Sequence, residues 1–81
     1  MSSFLLEMLN PDKTIYYGKV TSATAKAIDG EVQVLMSHVP YLNVLPAGEV
    51  RLTTEENTCL HFKHNGGMLC VAKDKTSLLV Y

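Results

Sequence analysis

Three features of the sequence predict an all-β fold, an antiparallel β-sandwich or flattened barrel of two packed sheets with about ten short strands. Turn signals recur at short intervals: Asn10-Pro11-Asp12-Lys13, Asp29-Gly30, Pro46-Ala47-Gly48, Thr54-Glu55-Glu56-Asn57, His64-Asn65-Gly66-Gly67 and Lys73-Asp74-Lys75. Between them, apolar and polar residues alternate with the period of a strand. Across residues 58–63, Leu60 and Phe62 face one way while Cys59, His61 and Lys63 face the other. No stretch sustains a helical period. The alanines of residues 24–28 are too few, ahead of Asp29-Gly30, to nucleate a helix.

Residues 4–9 form the first strand, apolar on both faces except at Glu7, which places it centrally in a sheet. Pro11 presets φ in the turn that follows. Residues 14–17 are β-branched and aromatic, and Gly18 marks a bulge or a close backbone approach. Residues 19–27 continue extended, with Val20, Ser22, Thr24 and Lys26 on one face and Thr21, Ala23, Ala25 and Ala27 on the other. Asp29-Gly30 suits a type I′ hairpin, whose two central residues need positive φ. Val32 and Val34 then share one face, Glu31 and Gln33 the other. A loop with His38 and Pro40 leads to the apolar run of Tyr41, Leu42, Val44 and Leu45, so this strand is bracketed by turns and makes a corner suited to a partner. Strands over residues 49–53, 58–63, 68–72 and 76–81 complete the chain, with Gly48, Gly66 and Gly67 as structural turn glycines. There is no internal repeat, low-complexity segment or linker, and residues 1–81 read as one domain.

A formal net charge of −1 without a basic run argues against nucleic acid, because binding by counterion release needs clustered Lys and Arg. No apolar run approaches the length of a membrane span, and Met1 to Leu6 lack the basic start of a signal peptide, so a soluble, cytosolic domain is expected. Cys59 and Cys70 match no Cys-x-x-Cys motif and read as reduced thiols in core-like strands, without a neighbouring base in sequence. Together with His38, His61 and His64 they could be assembled into a metal site only on paper. No catalytic residue, metal or cofactor is expected.

The order Gly18-x-Val20, Asp29-Gly30-Glu31-x-x-Val34-Leu35-x-x-His38-x-Pro40-x-Leu42, Gly48-x-Val50-Arg51 and Gly66-Gly67 before an apolar strand resembles the epsilon subunit of F-type ATP synthases. The similarity runs from Phe4 to Val80. It implies an N-terminal β-sandwich of two five-stranded sheets that holds the gamma subunit and rests on the c ring, coupling rotation without chemistry of its own. Carried over by position, Asp29, Gly30 and Glu31 fall in the loop that meets the c ring. Asn10, His38, Tyr41, Leu42 and Asn43 fall on the gamma side. Pro40 belongs to the turn between these regions. The implied location is peripheral, on the cytoplasmic face of the bacterial inner membrane.

The sequence departs from that family at Leu35-Met36-Ser37-His38-Val39-Pro40, where the usual loop reads Leu-Pro-Gly-His-Ala-Pro. Ser37 in the glycine's place implies a remodelled turn or a strain of roughly 1–2 kcal/mol. The C-terminal helical pair of the family has no counterpart in these residues, so self-inhibition by an extended arm is not expected. Two other readings compete: a freestanding β-sandwich adaptor for a different partner, and a small enzyme using a cysteine nucleophile. An 8.9 kDa fold should expose roughly 4,800 Å². Two contacts of about 800 Å² each would leave conspicuous apolar patches on the isolated chain, which would then be expected to dimerise weakly.

Overall fold

The computed structural model describes residues 2–36 and 39–81, and the expectations for Ser37 and His38 lie outside them. Eight strands follow one another: β1 (Phe4–Leu9), β2 (Thr14–Ala27), β3 (Gly30–Val34), β4 (Tyr41–Leu45), β5 (Gly48–Thr54), β6 (Cys59–His64), β7 (Gly67–Val71) and β8 (Thr76–Val80). They hydrogen-bond in the order β4-β7-β8-β1-β2-β5-β6, with β3 added alongside β2. The sheet curls so that its two wings face each other across the core. The count is eight rather than about ten because residues 14–27 run as one strand.

That long strand explains the architecture. Its first half pairs with β1, from Phe4↔Val20 to Leu9↔Thr14, and its second half pairs with β3 and β5. One strand therefore belongs to both wings. The ladder with β5 shifts between Val20 and Ser22, where Thr21 is the extra residue and its hydroxyl donates to the Thr53 carbonyl at 3.3 Å. Such a bulge sharpens the local twist and lets a strand pass from one layer to the next. It also resets the pleat. Val20 points into the core together with Ala23 and Ala25, not on the opposite face as strict alternation predicts. β2 is irregular at Thr21 and at Ile15, where the ladder with β1 shifts between Met8 and Leu9, but not at Gly18, which pairs regularly with Leu6.

β1 is central, as expected, but its pairing with β8 is parallel (Leu6↔Thr76 to Leu9↔Leu79), so the sheet is not wholly antiparallel. The core comprises Leu6, Met8, Val20, Val50, Leu52, Leu69 and Leu78, with Phe62 and Tyr16 closing it through a tilted ring contact at 6.3 Å. Total accessible surface is 5060 Å², close to the size expectation.

One turn differs from the sequence reading. In the β2–β3 hairpin Ala27 pairs with Gly30, so Ile28 and Asp29 occupy the loop centre. Positive φ is confined to Gly30 (132°), which excludes a type I′ turn. Asn57 takes φ 66° at the β5–β6 tip, with its N–H donating to the Thr54 carbonyl; asparagine tolerates this region better than most residues. The segment His64-Asn65-Gly66-Gly67 is a crossing between wings and not a hairpin, because β6 and β7 do not pair. It is tied down by Asn65 N–H to the Tyr81 carbonyl and Tyr81 N–H to the Gly66 carbonyl. Gly67 is required by contact: a Cβ there would meet the Leu79 carbonyl oxygen and lie 2.8 Å from Val80 Cα. Gly48 likewise faces β2, where a Cβ would lie 3.2 Å from Lys26 Cβ.

Candidate functional site

The two outer faces of the curled sheet differ in chemistry, and strand register explains why. On the β4-β7-β8-β1 wing, cross-strand partners line up as Val44–Met68–Leu79–Leu9, four apolar side chains in one row. Leu42 stands beside it in the row Leu42–Cys70–Ser77–Glu7–Tyr17. Because successive side chains alternate faces, the inner positions of the same strands are Leu45, Leu69, Leu78 and Met8, and the core takes those. The outer set has nothing left to pack on. Leu42 is 69 % exposed, Val44 59 %, Leu79 45 % and Met68 38 %, and Tyr81 stands exposed at the end of β8. A shallow groove of about 580 Å³ opens along this row, rimmed by Asn10 and Pro11. The exposed apolar area is on the order of 400 Å², within the roughly 300–600 Å² of the largest patch on a typical monomer, which is often functional.

A polar rim borders the stripe. Glu7 accepts from Lys75 Nζ at 2.9 Å and from Ser77 Oγ at 3.0 Å. The Lys75 hydrogen bond, with Ser77 adding to it, holds the Glu7 carboxyl below the ordinary carboxylate range, and Glu7 in turn raises Lys75. An apolar centre with satisfied charges at its edge is the anatomy of a protein interface.

The other wing presents the opposite surface. Its outward rows carry Glu31 and Lys26, Glu49 and Lys63, then Gln33, Thr24, Arg51 and His61. Arg51 Nη2 and Glu31 Oε2 are 2.7 Å apart, and both side chains are solvent-accessible. Glu31 therefore projects from the β2–β3 hairpin already paired. Asp29 and Gly30 are exposed at its tip beside Ile28, itself 75 % exposed.

The residues assigned to the gamma side do not form one cluster. Leu42 lies on the apolar face. Tyr41 and Asn43, one residue away on either side, point to the inner face in rows with Val71 and Leu69, and partial burial raises the Tyr41 pKa. Asn10 sits at the groove rim, but its Oδ1 is engaged by the N–H groups of Asp12 and Lys13, both at 2.8 Å, making it a turn residue. His38 falls outside the described residues. Pro40 is exposed just before β4. Sequence reading missed Val44, Met68, Leu79 and Ile28. The apolar alternation that could have flagged the first three is indistinguishable from core until the register is known.

Cys59 is exposed and not core-like, and it does have a neighbouring base, His61, whose Nε2 lies 3.5 Å from its Sγ; Cys70 is half-buried, and both are free thiols. His64 is a buried corner residue whose Nδ1 accepts the Gly66 N–H at 3.0 Å, while Nε2 is buried without a partner. Burial pushes its pKa down. Among the described residues no three His, Cys, Asp or Glu side chains converge to hold a metal ion.

Comparison with known proteins gives a consistent result. The family described as the β-sandwich domain of the ATP synthase delta/epsilon chain matches residues 3–81. The ATP synthase epsilon chain of Chlorobium limicola is 35% identical over 77 residues, covering 95% of this chain and 88% of that one. The epsilon chain of Brevibacillus brevis is 28% identical over 79 residues, and this chain spans only 60% of its length. Among solved structures, a chain of the Euglena gracilis mitochondrial ATP synthase superposes with a TM-score of 0.89 at 20% identity, covering 96% of this chain and 50% of that one. A chain from the central stalk and c-ring of the Tetrahymena thermophila enzyme superposes with a TM-score of 0.77 at 21% identity, covering 98% and 63%. At these identities the structural matches speak for the fold.

Proposed function

This chain belongs to the β-sandwich domain family of ATP synthase delta/epsilon chains, and we propose that it is a non-catalytic rotor component that joins the gamma subunit to the c-subunit ring. The observation that carries the reading is the asymmetry of its outer surface. The Val44–Met68–Leu79–Leu9 row offers gamma an apolar seat, and the paired Glu31 and exposed Asp29 and Gly30 offer the ring a polar corner. Each surface suits its partner physically. Lasting attachment needs buried apolar area. A contact with exposed basic loops gains orientation from a carboxylate at little desolvation cost.

The domain sits peripherally, at the cytoplasmic face of a bacterial inner membrane. Bacterial relatives support that placement, and among the described residues no helix is long and apolar enough to cross a membrane. Detached from gamma, the chain forms a weak dimer through the same stripe.

Titration of the chain against a purified gamma–c-ring subcomplex tests the reading. Leu79→Glu places an unpaired carboxylate in the apolar row, a penalty of about 3 kcal/mol, or roughly 100-fold in Kd. Glu31→Gln should change affinity only slightly and reduce its dependence on salt. Unaltered binding by Leu79→Glu would remove the apolar seat from the account.

A further inference from the structure

We propose that Cys59 is a thiol-modification site, activated by His61 and Glu49 for exchange with low-molecular-weight disulfides. Cys59 and His61 stand two residues apart on β6 and so share its outer face, with Sγ 3.5 Å from the imidazole Nε2. The other ring nitrogen, Nδ1, lies 3.3 Å from Glu49 Oε1 on β5. A carboxylate only accepts hydrogen bonds. Glu49 therefore fixes the Nδ1–H tautomer and leaves the Nε2 lone pair directed at the thiol. That is the arrangement of a nucleophile, a base and a group that orients the base.

The three side chains also fail as a metal site for the same reason, because the carboxylate and the sulfur lie at opposite nitrogens of one ring. Arg51, already paired with Glu31, is the direct cross-strand partner of His61, and Lys63 that of Glu49, so each carboxylate beside the thiol has a cation next to it. Cys59 is exposed on an edge strand, open to a small disulfide. It lies on the wing opposite the apolar stripe, so the thiol stays accessible when that stripe is covered.

The step balances without an outside reductant. The Cys59 thiol gives its proton to His61 Nε2, and the thiolate attacks one sulfur of the incoming disulfide. The original S–S bond breaks as the new one forms, and the departing thiolate takes the proton back from the imidazolium. The products are a mixed disulfide at Cys59 and one free small thiol.

Cys70 serves as the internal control. It is half-buried between Leu42 and Ser77 on the opposite face. The test treats the full chain with glutathione disulfide at pH 7 and follows modification by intact mass and peptide mapping. Cys59 should react at least about tenfold faster than Cys70, and His61→Gln should slow Cys59 by about tenfold, less than the roughly 10²-fold of a fully positioned base because the site is open to water. The neutral disulfide of 2-mercaptoethanol should show the same preference. Equal rates at the two cysteines, an unchanged Cys59 rate in His61→Gln, or a preference confined to the anionic reagent would each overturn the proposal. The first and third readings need no variant.

Discussion

Replacing Gly67 with alanine should be among the most damaging single-methyl changes available to this fold. The added Cβ would meet the Leu79 carbonyl oxygen, with Val80 Cα at 2.8 Å and Leu79 C at 3.0 Å. All three are backbone atoms of the paired strand β8, so no rotamer change relieves the contact. Overpacking in a core costs about 1–3 kcal/mol when side chains can adjust. With rigid backbone opposite, a loss of about 3 kcal/mol or more is expected, only partly offset by the roughly 0.4–1 kcal/mol gained from a stiffer unfolded chain. At about 2.1 cal/mol/K per residue, the unfolding entropy of 81 residues is about 0.17 kcal/mol/K, so each kcal/mol shifts Tm by about 6 °C. Circular dichroism melting should therefore show a fall of about 12 °C or more. Gly18→Ala is the matched control. Its Cβ would meet only the Tyr16 side chain, Oη at 3.1 Å and the ring at 3.4 Å, with no backbone opposite, and Tm should change by less than about 3 °C. A Gly67→Ala variant that melts within a few degrees of the parent would refute the reasoning that β7 and β8 are locked in this register.

Two further expectations concern pH. Glu7 has a depressed pKa in the fold, so its contribution is present above the ordinary carboxylate value near 4.5 and is lost as pH falls through the depressed one. Urea titrations of Glu7→Gln should accordingly show a shallower loss of stability below pH 4.5 than the parent. His64 is also depressed, by burial, so the neutral ring is favoured by folding and stability should decline as pH drops below 6.5. His64→Asn keeps an acceptor for the Gly66 N–H and should flatten that decline; an unchanged slope would assign it to another group.

Much of the fold was legible because local chemistry and long-range pairing agreed. β1, the Asn10 turn and the alternation of β6 follow from residue order alone. Thr21 shows where this fails. A bulge adds one residue to one strand, and nothing in Lys19-Val20-Thr21-Ser22 distinguishes it from regular extension, so every face assignment after it was inverted relative to Val20. The parallel β1–β8 pairing was likewise unreadable, since it depends on which edges meet after both wings form. The apolar stripe was half legible. Leu42, picked by position, lies on that stripe, but Tyr41 and Asn43 were grouped with it although a strand sends neighbours to opposite faces. Val44, Met68 and Leu79 look like core in sequence and become surface only because Leu45, Leu69 and Leu78 occupy the interior. Ile28 carried the clearest overlooked signal, an isoleucine at the tip of a two-residue hairpin loop with no face to bury.

Side-chain footprinting by carbene labelling, on the chain alone and bound to gamma, tests the central claim most directly. Leu42, Val44, Met68 and Leu79 should lose their labelling on binding, while Cys59, His61 and Lys63 keep theirs. Protection of the β6 face with the stripe still labelled would contradict the account.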